Sequence, residues 1–309
     1  MRKIRFIINP ISGVNRNPRK ISQWIERIFE HSEDQYQIVH TSRPGDGTAL
    51  SQKAIEDKCD IVAVVGGDGT VNEVGRGLCG SNTALAVIPA GSGNGFARNF
   101  KIPLNQYQAI KLLLSPQIVS VDSGKINDHH FFNVAGFGLD ANICQHFEEF
   151  GIRGPIPYFL VGTRAFLSFH PEPVQIQLDD KELEFSPLLV SIANAPEYGN
   201  GAVIAPSALP DDGYLDVAVL DPMPLWKAVP NLYRLFNGTI DQLPGFHLFK
   251  VKKVEIERLN SGPIHTDGNP HQEKSQLKVE VIPNSLKVVA GPGFVPTRKL
   301  DLTDPAKIS

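Results

Sequence analysis

The sequence predicts an α/β domain built on a parallel sheet, followed by a β-rich half. Three observations predict it. Short apolar runs alternate with amphipathic helical patterns through the first third. The third run, "DIVAVVGG", is apolar on both faces, as a central parallel strand is. After about Ser115–Pro116 the pattern changes to one strand-like segment after another. At 309 residues, one large domain or two medium ones are expected.

The elements follow in order. "KIRFIIN" (Lys3–Asn9) reads as a first strand, its apolar run too short for a leader's hydrophobic segment. Ile21, Trp24, Ile25 and Ile28 then repeat at helical spacing. "YQIVHT" is a second strand, 48–58 a second helix, and 60–67 the central strand. A helix opens at about Thr70, and "ALAVIPAG" makes a fourth strand. Alternation of this kind implies right-handed crossovers between parallel strands. Farther on, "IVSVDSGKIN", "HHFFNVAGFG", "VQIQLDD", "LEFSPLLVSIAN", "YLDVAVL", "FKVKKVEIERL" and "LKVEVIPNSLKVVAG" are strand-like. Helical stretches around Tyr158–Phe169 and Leu225–Phe236 interrupt this half, which reads as a sandwich or barrel. The expected division is 1–120, 121–296, and a tail, 297–309, that is loose or returns to the first domain.

Composition narrows the function classes. With 41% hydrophobic and 20% charged residues, a core of normal size is available. A net charge of −3 gives no global basic field for nucleic acid. Cys59, Cys79 and Cys144 form no CxxC pair, which suits a reducing cytoplasm and offers neither a zinc site nor a disulfide framework. No stretch reaches the length of a membrane span, so a cytoplasmic protein, at most peripheral to a membrane, is expected.

In an open parallel sheet, ligands bind beyond the carboxyl ends of the strands. Four unusual loops fall at that edge: "NPISG" (Asn9–Gly13), Thr41, "GGDGTVNE" (Gly66–Glu73) and "PAGSGNGFAR" (Pro89–Arg98). Gly66, Gly67 and Gly69 let main-chain N–H groups approach a ligand, and the helix behind them presents its positive end to an anion such as phosphate. Asp68 is then the odd member, because a bare carboxylate repels phosphate. A divalent cation or a substrate hydroxyl resolves the conflict, which points to phosphoryl transfer. No GxxxxGK[ST] occurs. An isolated Gly-Asp-Gly is ordinary turn chemistry, and only strand, GGDGT and helix together carry the argument. Asn72 and Glu73 read equally as helix-start partners or as ligand contacts.

"NPISG", Thr41, "GGDGTVNEV", "PAGSGNGFAR", "VDSG", "GFGLDA" and "DDGYLDV" run in the order seen in the diacylglycerol kinase catalytic family. Nearly the whole chain resembles that family, which includes bacterial lipid kinases and the sphingosine and ceramide kinases. The resemblance implies a Rossmann-like nucleotide domain and a C-terminal β-sandwich, with ATP in the cleft between them. It implies an ATP- and Mg²⁺-dependent lipid kinase acting on diacylglycerol or a sphingoid-type lipid at a membrane surface, a homodimer being left open. By similarity, Asn9, Pro10, Ile11, Ser12, Gly13, Thr41, Gly66, Gly67, Asp68, Gly69, Thr70, Val71, Asn72, Glu73 and Ser92 would hold the nucleotide. Asn94, Arg98, Asp122 and Asp140 would serve the substrate. Leu209, Asp212 and Tyr214 match a turn where bacterial members hold a structural Mg²⁺ through two carbonyls and a carboxylate. Arg153 and Arg164 are further headgroup candidates, and Phe147 and Phe150 candidates for membrane contact. His129 and His130 read as strand positions.

Two departures stand out. The family's DGE, whose acid is taken as the general base, here reads Asp267, Gly268, Asn269. An amide cannot take a proton from an alcohol, so Asp68 or Asp267 must serve as the catalytic acid–base group. Many bacterial members also carry an acid after the glycine loop, where this chain has Gly95. The alternatives are an NAD kinase-like enzyme, sharing GGDGT, and an impaired nucleotide- or lipid-binding homologue.

Overall fold

The computed structural model describes residues 1–12, 18–150, 165–166, 168–179 and 181–297. Strands β1 (Lys3–Ile8), β2 (Gln35–His40), β3 (Ile61–Gly66) and β4 (Ala84–Pro89) pair in parallel in the order β2-β1-β3-β4. Helices α1 (Pro18–Phe29), α2 (Asp46–Glu56) and α3 (Asp68–Leu78) make the crossovers, and α4 (Gly95–Asn99) and α5 (Gln106–Lys111) follow β4. Every residue of β3 and β4 is buried, which is why both read as unbroken aliphatic runs. Helix α1 buries Ile21, Ile25 and Phe29, one per turn on a single face, and its Trp24 meets Tyr107 of α5 edge-on at 5.8 Å. The strand order reverses between β1 and β3, and ligand crevices open at such a switch point.

The second half adds β5 (Gln117–Ile126), β6 (His129–Phe131), β7 (Val134–Gly138), α6 (Leu139–Phe150), β8 (Val174–Leu178) and β9 (Lys181–Phe185). Then come β10 (Leu189–Ala193), β11 (Glu197–Gly199), β12 (Ala202–Val203), β13 (Leu215–Leu220) and β14 (Phe246–Val251). The last strands are β15 (Lys253–Arg258), β16 (Gly262–Thr266), β17 (Asn269–Glu273) and β18 (Gln276–Ala290). Strands β14-β13-β10-β7-β16-β17 form an antiparallel sheet, and a second layer including β8, β15 and β18 packs on it. Phe137, Ile176, Ile192, Val217, Val254 and Leu277 interdigitate between the layers. Each side chain buried in this way is worth about 1.5–3 kcal/mol. The expected α/β domain and antiparallel β domain are both present.

The two halves share a strand. β18 runs antiparallel to β5, shifts register between Ile282 and Leu286, and pairs in parallel with β4 at Val288. One ten-stranded sheet therefore passes through both halves. The division expected at 120/121 falls inside β5, and the end of the expected second domain returns to the first. There the Gly291 amide donates to the Phe100 carbonyl (2.9 Å) and the Phe294 ring lies 5.4 Å from the Phe100 ring. Helix α4 and helix α5, five and six residues long, are too short for periodicity to reveal. The stretch 225–236 forms two short helices, Leu225–Asn231 and Tyr233–Asn237. Most of 158–169, the tail 298–309, Arg153 and Arg164 lie outside the described residues, as do the side chains of Phe147 and Phe150. No described helix is long and apolar enough to cross a membrane.

Candidate active site

The pairing of Ile8 with both His40 and Val65, and of Gly66 with Pro89, brings the four loops to one edge. Asn9 Nδ2 donates to Thr70 Oγ1 at 2.8 Å, bridging the crevice between β1 and β3. Thr41, buried just past β2, donates its amide to the Ile8 carbonyl (3.0 Å). The amides of Ile11 and Ser12 turn back on Asn9, to Oδ1 at 3.1 Å and to the carbonyl at 3.3 Å. Pro10 precedes them, and Gly13 lies outside the described residues. Gly67 and Gly91 meet main chain to main chain: a Cβ on Gly91 would stand 2.6 Å from Gly67 Cα. The bareness of these loops serves first to let them touch. Asn94 closes its own loop, exchanging hydrogen bonds of 2.9 Å with both the N–H and the carbonyl of Gly91. Arg98 Nε braces the same loop through the Gly93 carbonyl (3.3 Å), and Ser92 is exposed at its tip.

Asp68 opens α3, and its Oδ1 accepts the Phe96 amide of α4 at 3.2 Å. Oδ2 stands 3.2 Å from where a Cβ on Gly93 would be. Burial pushes this carboxyl above its ordinary value, while the amides of Phe96, Gly95 and Asn94 pull it back and the Asp267 charge adds to the rise. A carboxyl raised in this way is suited to accepting a proton.

From the second half, Asp267 and Gly268 form a two-residue hairpin turn with φ of +49° and +84°. The turn delivers Asn269 to the GGDGT loop, its Oδ1 lying 3.3 Å from where a Cβ on Gly69 would stand. Asp267 itself accepts four hydrogen bonds, from the amides of Phe132 (2.9 Å), Asn133 (2.8 Å) and Val134 (3.1 Å) and from Asn72 Nδ2 (2.8 Å). Burial pushes its carboxyl up and these donors pull it back. A carboxylate so fully engaged has no lone pair directed at a substrate. In this position Asp267 ties the hairpin to α3 and to the start of β7. Glu273 is no substitute, being held by Asn127 Nδ2 (2.7 Å) and His129 Nε2 (3.0 Å) at the far end of β17.

Other expected contacts have structural tasks. Glu73 accepts the amides of Gly45 (2.9 Å) and Gly47 (3.1 Å) and so caps α2. Val71 is a core side chain, and Asn72 donates to Asp267 and to the His130 carbonyl (3.2 Å). Asp122, expected to serve the substrate, is fully buried and accepts the amides of Gly213 (2.7 Å) and Asn284 (2.8 Å). Asp140 differs. Its Oδ2 is within reach of Ser191 Oγ (3.1 Å), the Tyr198 hydroxyl (3.0 Å) and His265 Nε2 (3.1 Å), and the two hydroxyls also bond each other. Sequence reasoning missed these three partners, and the only signal was a polar residue at an inward position of strands β10 and β16. The missing acid at Gly95 also has a physical reason: a Cβ there would stand 2.5 Å from the Tyr198 carbonyl.

The diacylglycerol kinase catalytic domain family matches residues 3–126, and the YegS C-terminal NAD kinase beta sandwich-like domain matches residues 133–290. The chain belongs to the diacylglycerol kinase and YegS-like lipid kinase family. Pseudomonas aeruginosa "Probable lipid kinase YegS-like" is 31% identical over 80% of this chain and 82% of its own. A Staphylococcus saprophyticus diacylglycerol kinase is 24% identical over 86% of this chain and 88% of its own. A solved structure described as a candidate diacylglycerol kinase from Bacillus anthracis str. Sterne superposes with a TM-score of 0.79 at 28% identity, covering 95% of this chain and 97% of that one.

At the turn where the resemblance implies a structural metal, the carboxylate has a protein partner. Asp212 Oδ1 accepts the Tyr214 amide (3.0 Å), and its Oδ2 lies 2.7 Å from Lys250 Nζ. The same ammonium is 3.2 Å from Asp216 Oδ2, the cross-strand partner of Lys250 between β13 and β14. Burial pulls the Lys250 ammonium down, and Asp212 and Asp216 outweigh that and leave it raised. The side chains of Leu209 and Tyr214 are exposed. At this turn a lysine supplies positive charge to Asp212, the carboxylate expected to hold a structural Mg²⁺ together with the Leu209 and Tyr214 carbonyls.

Proposed function

We propose that this chain transfers the γ-phosphoryl group of ATP to a hydroxyl of diacylglycerol or a related sphingoid-type lipid. One observation carries the reading: the two glycine-rich loops after β3 and β4, nearly bare of side chains, meet beyond the parallel strands over the Asp68 carboxyl, which burial raises. Main-chain N–H groups and the start of α3 suit the anionic triphosphate, with Asn9 and Thr70 fixing the loop that faces it. The Mg²⁺ that travels with ATP, a hard cation that takes oxygen ligands, would supply charge neutralisation, with Asp68 placed to orient one of its water ligands. The lipid oxygen attacks the γ-phosphorus, the bond to the β–γ bridging oxygen breaks, ADP leaves, and the hydroxyl proton passes to Asp68. Asn269 beside Gly69 contributes hydrogen bonds but takes no proton. With Asp267 engaged elsewhere, turnover rests on positioning and charge more than on a second acid.

The test is labelled ATP with mixed micelles of diacylglycerol or sphingosine and a divalent cation. Wild-type protein yields labelled lipid, and Asp68→Asn, which keeps an oxygen for the Phe96 amide, lowers the rate by roughly 10²–10⁴-fold without loss of fold. No labelled lipid under any divalent ion sinks the proposal. A second reading, nucleotide binding without turnover, is favoured by Asn269 and Gly95. It predicts bound ATP, no product, and a sharp gain in Asn269→Glu.

A further inference from the structure

The helices Leu225–Asn231 and Tyr233–Asn237 contain no buried residue, although seven of their twelve positions are apolar. Trp226 (71% exposed), Val229 (43%), Leu232 (41%), Tyr233 (55%) and Phe236 (64%) all face solvent. Five of the fifteen exposed large hydrophobics of the described residues thus fall within eleven positions. Positions 226, 229, 233 and 236 follow helical spacing, so the segment carries an apolar stripe that points away from the core. The segment is anchored on its other side, where Leu235 and Met223 pack against the core around Ile240 and Phe246. A contiguous apolar patch of this kind marks a contact surface.

The charges choose the occupant. Lys227 lies over the Trp226 ring and the Arg234 guanidinium over the Tyr233 ring, each 5.5 Å from the centroid. Between Asp221 and Asp241 the sequence carries no acidic residue. Aromatic side chains interleaved with cations suit a bilayer surface, where rings sit at the headgroup level and cations meet anionic phosphates. A second copy of the same patch would set cation against cation. We propose that 225–237 docks this chain on an anionic lipid bilayer, inserting Trp226 and Phe236 with Lys227 and Arg234 at the headgroups. The proposal rests on the lipid-kinase reading for its purpose, but its measurement needs neither ATP nor turnover.

The full chain is sedimented with phosphatidylcholine vesicles, with and without phosphatidylglycerol. Wild-type protein partitions onto the anionic vesicles. Trp226→Ser with Phe236→Ser lowers the bound fraction by about tenfold or more, and Lys227→Glu removes severalfold of the preference for anionic over neutral vesicles. Because the altered side chains are exposed, the melting temperature stays at the wild-type value. The phosphorylation rate on a short-chain lipid dispersed in detergent also stays there, while the rate on vesicles falls. Wild-type protein left in the supernatant, or a double variant that sediments equally well, overturns the proposal. So does a wild-type dimer that the double variant abolishes, which would make the patch a contact between copies.

Discussion

Asp68 and Asp267 come from opposite halves of the chain, and Asp267 raises the Asp68 carboxyl by its charge. Asp68 accepts the Phe96 amide at 3.2 Å, also feels the Gly95 and Asn94 amides, and leaves Oδ2 over Gly93. Asp267 is held by three main-chain amides and the Asn72 side chain, all within 3.1 Å. The same residue type is an available group in one half and a structural tie in the other. Asp122 and Asp212 follow the second pattern, one held by two amides and the other by an amide and a lysine. An acidic motif residue is available for chemistry only where the fold has not already supplied its donors.

The comparison breaks first at Asp267. In Asp267→Ala three main-chain N–H groups and Asn72 lose their acceptor, at roughly 3 kcal/mol in total. Calorimetry should then show the melting midpoint lower by roughly 6–12 °C. A variant with wild-type stability and lost turnover would instead place Asp267 in the chemistry.

Lys250 sharpens the contrast between a lysine and a metal ion. Without nucleotide, wild-type stability should be indifferent to Mg²⁺ and to EDTA. Lys250→Met leaves the buried Asp216 carboxylate facing Asp212 without a counter-charge, a loss of about 1–3 kcal/mol that Mg²⁺ should partly reverse. A Mg²⁺-dependent midpoint in the wild type, abolished by Asp212→Asn, would restore the structural metal.

The smallest effect tests the strand that carries Asn269. His271, stacked on His129 at a ring separation of 3.9 Å, is pushed from 6.5 down to about 4, first by burial and then by the His129 charge. Its neutral form is favoured in the folded state. The stability this gives is fully present above pH 6.5 and is lost as pH falls from there toward 4, because the unfolded chain binds the proton first. At pH 5.5 the loss is about 1 kcal/mol after discounting partial exposure. Denaturant titrations across this window should show the slope in wild-type protein and a flatter one in His271→Gln, and equal slopes would remove His271 from the account.

Much of this was legible before the fold. Strands β3 and β4 announce themselves because both faces are buried, and GGDGT between strand and helix points to a loop that meets an anion. The resemblance named residues in both halves, yet their tasks could not be read from the motifs. The donors that engage Asp122 lie 91 and 162 residues away in sequence. Those of Asp267 come from 195 residues away for Asn72 and from 133 to 135 for the amides of Phe132, Asn133 and Val134. Ser191, Tyr198 and His265 meet Asp140 from three separate strands, so no local spacing could announce them.

By itself, then, the sequence determined the order of elements, the bare loops and the lone acid within them. Those depend on local periodicity and on which residues lack a Cβ. Tertiary structure alone decided which carboxylates remain available, that Lys250 meets Asp212 and Asp216, and that an apolar helical stripe faces outward. Hydrogen bonds and charge pairs between distant segments are set by strand register and packing, and neither is written in any one stretch of the chain.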